Sequence, residues 1–385
     1  MIGLEAHLKT IIIPFWKNLK DMENGGFFGK VDYQLKTHKN SDKTLISISR
    51  YLYAFSLWYG YFKEDDLLED ASHAYQFLIE HLRDEIHGGY YWQVTYDGLP
   101  SDVTKHVYGH AFAIYALSEY AKITDNKKSL EEALSIFELI EQKAHLGEFS
   151  YHEEFTNKWL MKDNELLSEH GANLPYTTNT LLHLLEAYTN LYRASKNTVV
   201  KARLIELING FTKTLYDDKE ILFHMYLDHN KQVRRVGQSF GHDIETCWLI
   251  DDACLAIDYH RSDIEQMTKN VAEKVYERAF TKNGLYSESI HGRICKDRIW
   301  WIQAEALVGF YNHYQKYKDN RYAQATISIY EFIKTYIVDD RPNSEWLWGV
   351  DENLEPLKYR GIAEGWKAAY HNGRAIIELL KRGLS

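Results

Sequence analysis

"SFGHDIETCWLIDDACLAIDYH", residues 239–260, has the spacing of an α-helix but no clear polar face: Ile244, Cys247, Trp248, Leu249, Ile250, Ala253 and Ile257 spread around its circumference. A helix apolar nearly all round belongs inside a protein, against other helices. Its opening turn is different. His242 and Glu245 lie three residues apart, on one face, where imidazole and carboxylate act on the same small space. That spacing suits a metal site, an acid/base pair or a polar helix end.

Five further stretches share the pattern: "ISRYLYAFSLWYGYF" (48–62), "KHVYGHAFAIYALSEYAKI" (105–123), "TTNTLLHLLEAYTNLYRA" (177–194), "RIWWIQAEALVGFYNHYQKY" (298–317) and "WKAAYHNGRAIIELLKRG" (366–383). Most are followed by a more amphipathic helix, such as "LLEDASHAYQFLIEHLRD" (67–84) or "RYAQATISIYEFIKTYIVD" (321–339). Between the pairs fall short alternating segments with turn residues, among them "ENGGFFGKVDY" (23–33), "HGGYYWQVTYDG" (87–98) and "NGLYSESIHG" (283–292), which read as small β-hairpins. The unit is hairpin, apolar helix, amphipathic helix, recurring six times at about sixty residues. Six such pairs close into an all-α toroid, an inner ring of helices wrapped by an outer ring, with the hairpins at one mouth. A linear solenoid is the competing architecture, but its repeats are usually shorter. No Pro-, Gly- or Ser-rich linker interrupts the pattern, so residues 1–385 are expected to form one domain.

Composition narrows the function. The net charge of −10, from 55 acidic and 45 basic residues, repels a phosphate backbone and speaks against nucleic-acid binding. The longest apolar runs, such as "TIIIPFW", are far too short for a membrane span, and the N-terminus carries no signal-peptide pattern. Cys247 and Cys254 would sit about 10 Å apart along one helix, too far for a disulfide. A reduced, cytoplasmic protein is expected, as a monomer with a dimer as the alternative. The 29 Tyr and 10 Trp suit a helical core or a cleft that grips a sugar, whose C–H faces stack on flat rings.

Polar residues interrupt the apolar helices at matching places: Arg50, His106 and Tyr108, Asn179 and His183, His242 and Glu245, Trp301 and Glu305, Trp366 and His371. If the inner helices run parallel, these residues gather at one mouth of the barrel, where the helix N-termini favour developing negative charge. Taken singly, His183 reads as a hydrogen-bonded core histidine, His106 as a cap, and Arg50 with Glu305 as a buried structural pair. The repeated placement is what lifts the set above those readings. His183 or His371 could complete a metal set around His242 and Glu245, but no pair shows a characteristic zinc spacing, and acid/base work is favoured. Asp243, Glu245 and Glu305 keep a paired-carboxylate glycosidase open. A sugar-binding scaffold without turnover is a third reading.

The pieces "DVTKHVY" (102–108), "TNTLLHLLEAYTNLYR" (178–193), "SFGHDIETCWLID" (239–251), "IWWIQAEALVGFYN" (299–312), "NSEWLWGVDENLE" (343–355) and "WKAAYHNGR" (366–374) occur in order. With "IIPFWKNLKDMENGGFFG" (12–29) they make essentially the whole chain resemble the cellobiose 2-epimerases of the N-acylglucosamine 2-epimerase superfamily. The resemblance implies an (α/α)6 barrel that epimerises the reducing-end glucose of cellobiose or lactose at C2, without metal or organic cofactor. It implies that His371 and His242 are the acid/base pair with Glu245 beside His242. By the same resemblance His183 contacts sugar oxygens and Arg50 stabilises negative charge. Tyr108, Asn179 and Glu305 become binding positions, and Trp301 and Trp366 aromatic walls. Two departures bear on the sugar. Relatives usually carry Cys-Pro where this chain has Ala368 and Ala369, and a polar residue where it has Ile48. Mannose 2-epimerases, N-acylglucosamine 2-epimerases and aldose–ketose isomerases of the superfamily are the neighbouring alternatives.

Overall fold

The stretch that opens at Ser239 forms a helix because Ser239 stays extended and its Oγ accepts the His242 amide at 3.3 Å, while the apolar residues beyond it are buried. In the computed structural model, which describes residues 3–167 and 174–384, this is the eighth of twelve helices. Inner helices are α2 (Leu45–Phe62), α4 (Val107–Thr124), α6 (Thr178–Ser195), α8 (Phe240–Ile257), α10 (Trp300–Tyr317) and α12 (His371–Lys381). Outer helices are α1 (4–17), α3 (65–82), α5 (Lys127–Lys143), α7 (198–215), α9 (Ser262–Ala279) and α11 (320–337), of which α3, α7 and α11 end in a π-helical turn. Each inner helix packs on the next, and α12 packs on α2, so the ring closes.

The repeat is visible in the helix ends. The first five inner helices each have 18 residues and stop at a residue in the left-handed conformation: Lys63, Asp125, Lys196, Asp258 and Lys318. Such a residue closes a helix by turning its amide back onto the last turn. At Lys63, Lys196 and Lys318 the amide reaches the carbonyl of the tyrosine four residues back, and the ammonium lies over that ring at 5.1–5.8 Å.

One difference from the expected unit is the order. The chain ends on an inner helix, and its outer partner is α1, which packs against α12 and joins the two ends of the chain. A second concerns α12, which begins at His371, so that Trp366 lies in the preceding loop and not within the helix.

The hairpin segments stitch neighbouring pairs together. The two or three residues before each inner helix pair with the segment that follows the next outer helix. Thus Lys43–Thr44 meets Gln93–Val94, Lys105–His106 meets Glu154–Phe155, and Tyr176–Thr177 meets Tyr226–Leu227. Gly237–Ser239 likewise meets Glu288–Ile290, and Arg298–Ile299 meets Gly349–Val350. The sixth seam is a single bridge, Val31 with Ala363, so the expected hairpin at 23–33 is reduced to isolated bridges. In each of the five paired seams one strand immediately precedes an inner-helix N-terminus, which keeps the seams at one mouth.

Buried ion pairs lock several seams. Lys43 Nζ reaches Asp21 and Lys105 Nζ reaches Asp84, both at 2.8 Å and both lysines fully buried. The other oxygen of each aspartate accepts two backbone amides of its own turn. Removing one partner strands a buried charge, so Lys105→Met is expected to lower stability by about 3–5 kcal/mol, read as a fall in the urea midpoint. A midpoint unchanged from the parent would show that the clamp contributes nothing.

Candidate active site

Six inner-helix N-termini converge on one cleft, whose space out to the open mouth is about 1320 Å³. Arg50 comes from α2, Tyr108 from α4, Asn179 and His183 from α6, His242 and Glu245 from α8, Trp301 from α10 and His371 from α12; Trp366 is added by the loop before α12. Glu305, one turn deeper on α10 than Trp301, stands directly behind His371.

Each side chain is held by short-range chemistry. The Arg50 guanidinium donates to the Tyr108 hydroxyl at 3.1 Å and to the Trp366 carbonyl, and lies over the Phe112 ring at 4.4 Å. Its planar fork is thereby aimed and cannot rotate freely. The structural pair that Arg50 and Glu305 could have made, taken singly, is not formed. Glu305 instead accepts Arg374 at 2.7 Å, the Trp248 indole at 3.1 Å and the His371 Nδ1 contact at 2.7 Å. That last bond commits Nδ1 and leaves Nε2 of His371 for the cleft. His183 is fixed in the same way by Glu186, three residues on, at 3.0 Å.

His242 differs. Among the described residues no group hydrogen-bonds its ring, which packs on Trp301 at 4.8 Å between centroids; Trp301 in turn lies 5.6 Å from His371. The indole is therefore in ring contact with both histidines. Burial lowers His242 to about 4 and carries His183 and His371 well below the ordinary histidine range, with the Arg50 charge adding to the shift of both His183 and His371. All three rings are consequently neutral at neutral pH and able to accept a proton. Burial moves the carboxyls the other way: Glu245 rises to about 8, and Glu305, also pressed by Glu245, goes well above its usual range.

Asp243 does not join these carboxylates. Two residues from Glu245, it faces the opposite side of α8 and is held by the Gln238 amide at 2.7 Å and the Phe223 backbone amide. His106 stays outside the cleft wall, capping α4 through Nδ1 and meeting Asn164 through Nε2. The glycosidase geometry also fails. Glu245 and Glu305 lie within 4.8 Å of one another and of His371, both bound to Arg374, and Glu305 is shut behind the histidine rather than facing it across the cleft. Those three residues are also the one cluster with metal-ligand spacing among the described residues. The Arg374 guanidinium touches both carboxylates and already supplies positive charge where a cation would sit.

Three buried residues at the floor were not picked out by sequence pattern: Glu186, Tyr370 and Arg374. Their signal was present, since Glu186 follows His183 and Arg374 follows His371 by three residues, the same step that links His242 to Glu245. Trp348 was also missed. It packs on Trp300 at 4.5 Å and carries the Arg360 guanidinium over its ring at 3.6 Å on the cleft wall.

An (α/α)6 barrel with buried histidines, an arginine and tryptophans at its N-terminal mouth is the architecture of a sugar-converting enzyme. The N-acylglucosamine 2-epimerase family model matches residues 26–375, and the chain belongs to that family. It is 42% identical to a cellobiose 2-epimerase of Dictyoglomus turgidum over 98% of this chain and 97% of the relative. To a cellobiose 2-epimerase of Ruminococcus albus it is 39% identical over 99% and 98%. The solved structure of the cellobiose 2-epimerase of Bacillus thermoamylovorans superposes with a TM-score of 0.96 at 41% identity, covering 98% of each chain.

Proposed function

We propose that the chain, acting as one catalytic barrel, interconverts the reducing-end glucose of cellobiose or lactose with mannose by moving the proton at C2. The observation that carries this reading is the pair of cleft histidines, His242 and His371, both in ring contact with Trp301 in the cleft that Arg50 also lines.

The chemistry follows from these groups. C2–H becomes acidic only when the ring opens to the aldehyde. A neutral imidazole takes that proton, the C2 electron pair forms the C1–C2 double bond, and the carbonyl oxygen gains the negative charge. Arg50 supplies fixed positive charge to that oxyanion, reinforced by the converging helix N-termini. Reprotonation on the opposite face gives the epimer, either from the second histidine or after rotation about C2–C3. Trp301 and Trp366 offer flat faces to the sugar, and the amide of Asn179, whose Oδ1 has no hydrogen-bond partner among the described residues, is a ready contact for a hydroxyl. No step calls for a metal, and turnover is expected to be unchanged after exhaustive dialysis against EDTA.

Incubation of cellobiose in heavy water should give deuterium at C2 of both epimers and the accumulation of glucosyl-mannose. Intact, folded enzyme that neither exchanges C2–H nor forms the mannose epimer would overturn the reading. Cellobiose, lactose, mannose and N-acetylglucosamine, scored together for epimer and ketose, separate it from the neighbouring activities of the superfamily.

A further inference from the structure

At and below the cleft floor the inner helices repeat a second layer. One turn beyond its cleft residue, α6 carries Glu186, α8 carries Glu245, α10 carries Glu305 and α12 carries Arg374. The guanidinium stands at the centre of these carboxylates: Nη1 bonds Glu186 and reaches the Tyr370 hydroxyl at 2.5 Å, while Nη2 reaches Glu305 at 2.7 Å and Glu245 at 3.1 Å. Tyr370 also donates to Glu186. Arg374 is 1% exposed and its Cζ lies 4.8 Å from the Trp248 ring, which packs against the guanidinium.

Two of these carboxylates each hold a cleft histidine, while Glu245 makes no hydrogen bond to a histidine ring among the described residues. Glu186 holds Nδ1 of His183, Glu305 holds Nδ1 of His371, and Glu245 lies one turn below His242. We propose that Arg374 is a positioning residue that orients His183 and His371 through the glutamates it gathers, coupling rings from two different helices to one buried cation. Three buried carboxyl groups gathered this closely repel one another when charged and lose much of their solvation. A single planar fork with several donors offsets both costs and fixes the direction in which each carboxylate points. Arg374 does not line the cleft, so it acts on the sugar only through the histidines.

A structural role alone gives a different outcome. A buried ion cluster can often be replaced by apolar residues with little change in function, the effect appearing in stability. Positioning predicts a loss in kcat with KM nearly unchanged. This inference rests on the epimerase reading, and the parent enzyme serves as its control: absence of C2 exchange in the parent would fail that reading and not this one.

The experiment compares Arg374→Lys, Arg374→Met and Glu186→Gln with the parent for kcat, KM, C2 deuterium exchange and circular dichroism. Arg374→Lys and Glu186→Gln are expected to lose about 10–100-fold in kcat, the range seen when groups that orient reacting side chains are removed, with KM shifted less than about threefold. Arg374→Met should lose more than Arg374→Lys, because the ammonium restores part of the charge. If the arginine variants do not fold, Glu186→Gln decides, since it keeps size and shape. A folded variant with kcat within about threefold of the parent, or with its whole defect in KM, would overturn the proposal.

Discussion

His371→Ala is expected to reduce epimerisation by about 10²–10⁴-fold while leaving a folded barrel, the range for loss of a general acid/base. The fold survives because Glu305, the polar partner of the ring, keeps its bonds to Arg374 and Trp248. The ring otherwise meets Trp300, Trp301 and Tyr370, and its loss widens the cleft instead of opening the core. His242→Ala should be as severe for turnover and milder for stability, since no described residue hydrogen-bonds that ring. Deuterium exchange then separates the two routes. If each histidine serves one face, each alanine variant still exchanges C2–H of one epimer and not the other. If one histidine does all the work, the variant lacking the other retains turnover, which would reject that residue as a proton carrier.

The architecture was legible because burial leaves a mark in composition: a helix packed on all sides carries apolar residues around its whole circumference, as the stretch at 239–260 does between its acidic residues. The polar exceptions were legible for the same reason. Arg50, His183, His242 and His371 sit in the N-terminal halves of helices rich in apolar residues, and all line the cleft. What pattern did not reveal depended on long-range geometry. Helix α1 is separated by most of the chain from α12, its partner, so no local signal identified the pair. Trp366 falls within an apolar run, and only the backbone shows that the helix begins five residues later. Lys43 and Lys105 precede inner helices and read as surface lysines, yet each is buried on an aspartate about twenty residues earlier in the chain. Glu186 and Arg374 were hidden for a subtler reason. Each looks like a stray charge in an apolar helix, and their meaning appears only where α6 and α12 meet.

Arg50→Lys is the second variant with a large expected effect. Removing a preorganised donor from a developing oxyanion typically costs about 10²–10³-fold in kcat, and the lysine variant should fall in that range although it keeps the charge. Arg50 uses both terminal nitrogens, one on the Trp366 carbonyl and one on the Tyr108 hydroxyl, with its plane over Phe112 and 5.1 Å from Tyr370. An ammonium is a single point with three donors on a flexible stem; it cannot hold both acceptors and keep the same face toward the cleft. The tie to Trp366 is also lost, and that loop supplies one of the aromatic walls. Binding and chemistry therefore respond differently: KM should rise modestly through the loosened loop, whereas kcat carries most of the loss because full negative charge exists only in the enediolate. Measuring both constants, with C2 exchange as a direct readout of enediolate formation, tests the assignment. If kcat stays within about threefold of the parent and only KM changes, Arg50 merely holds the loop and does not stabilise the enediolate.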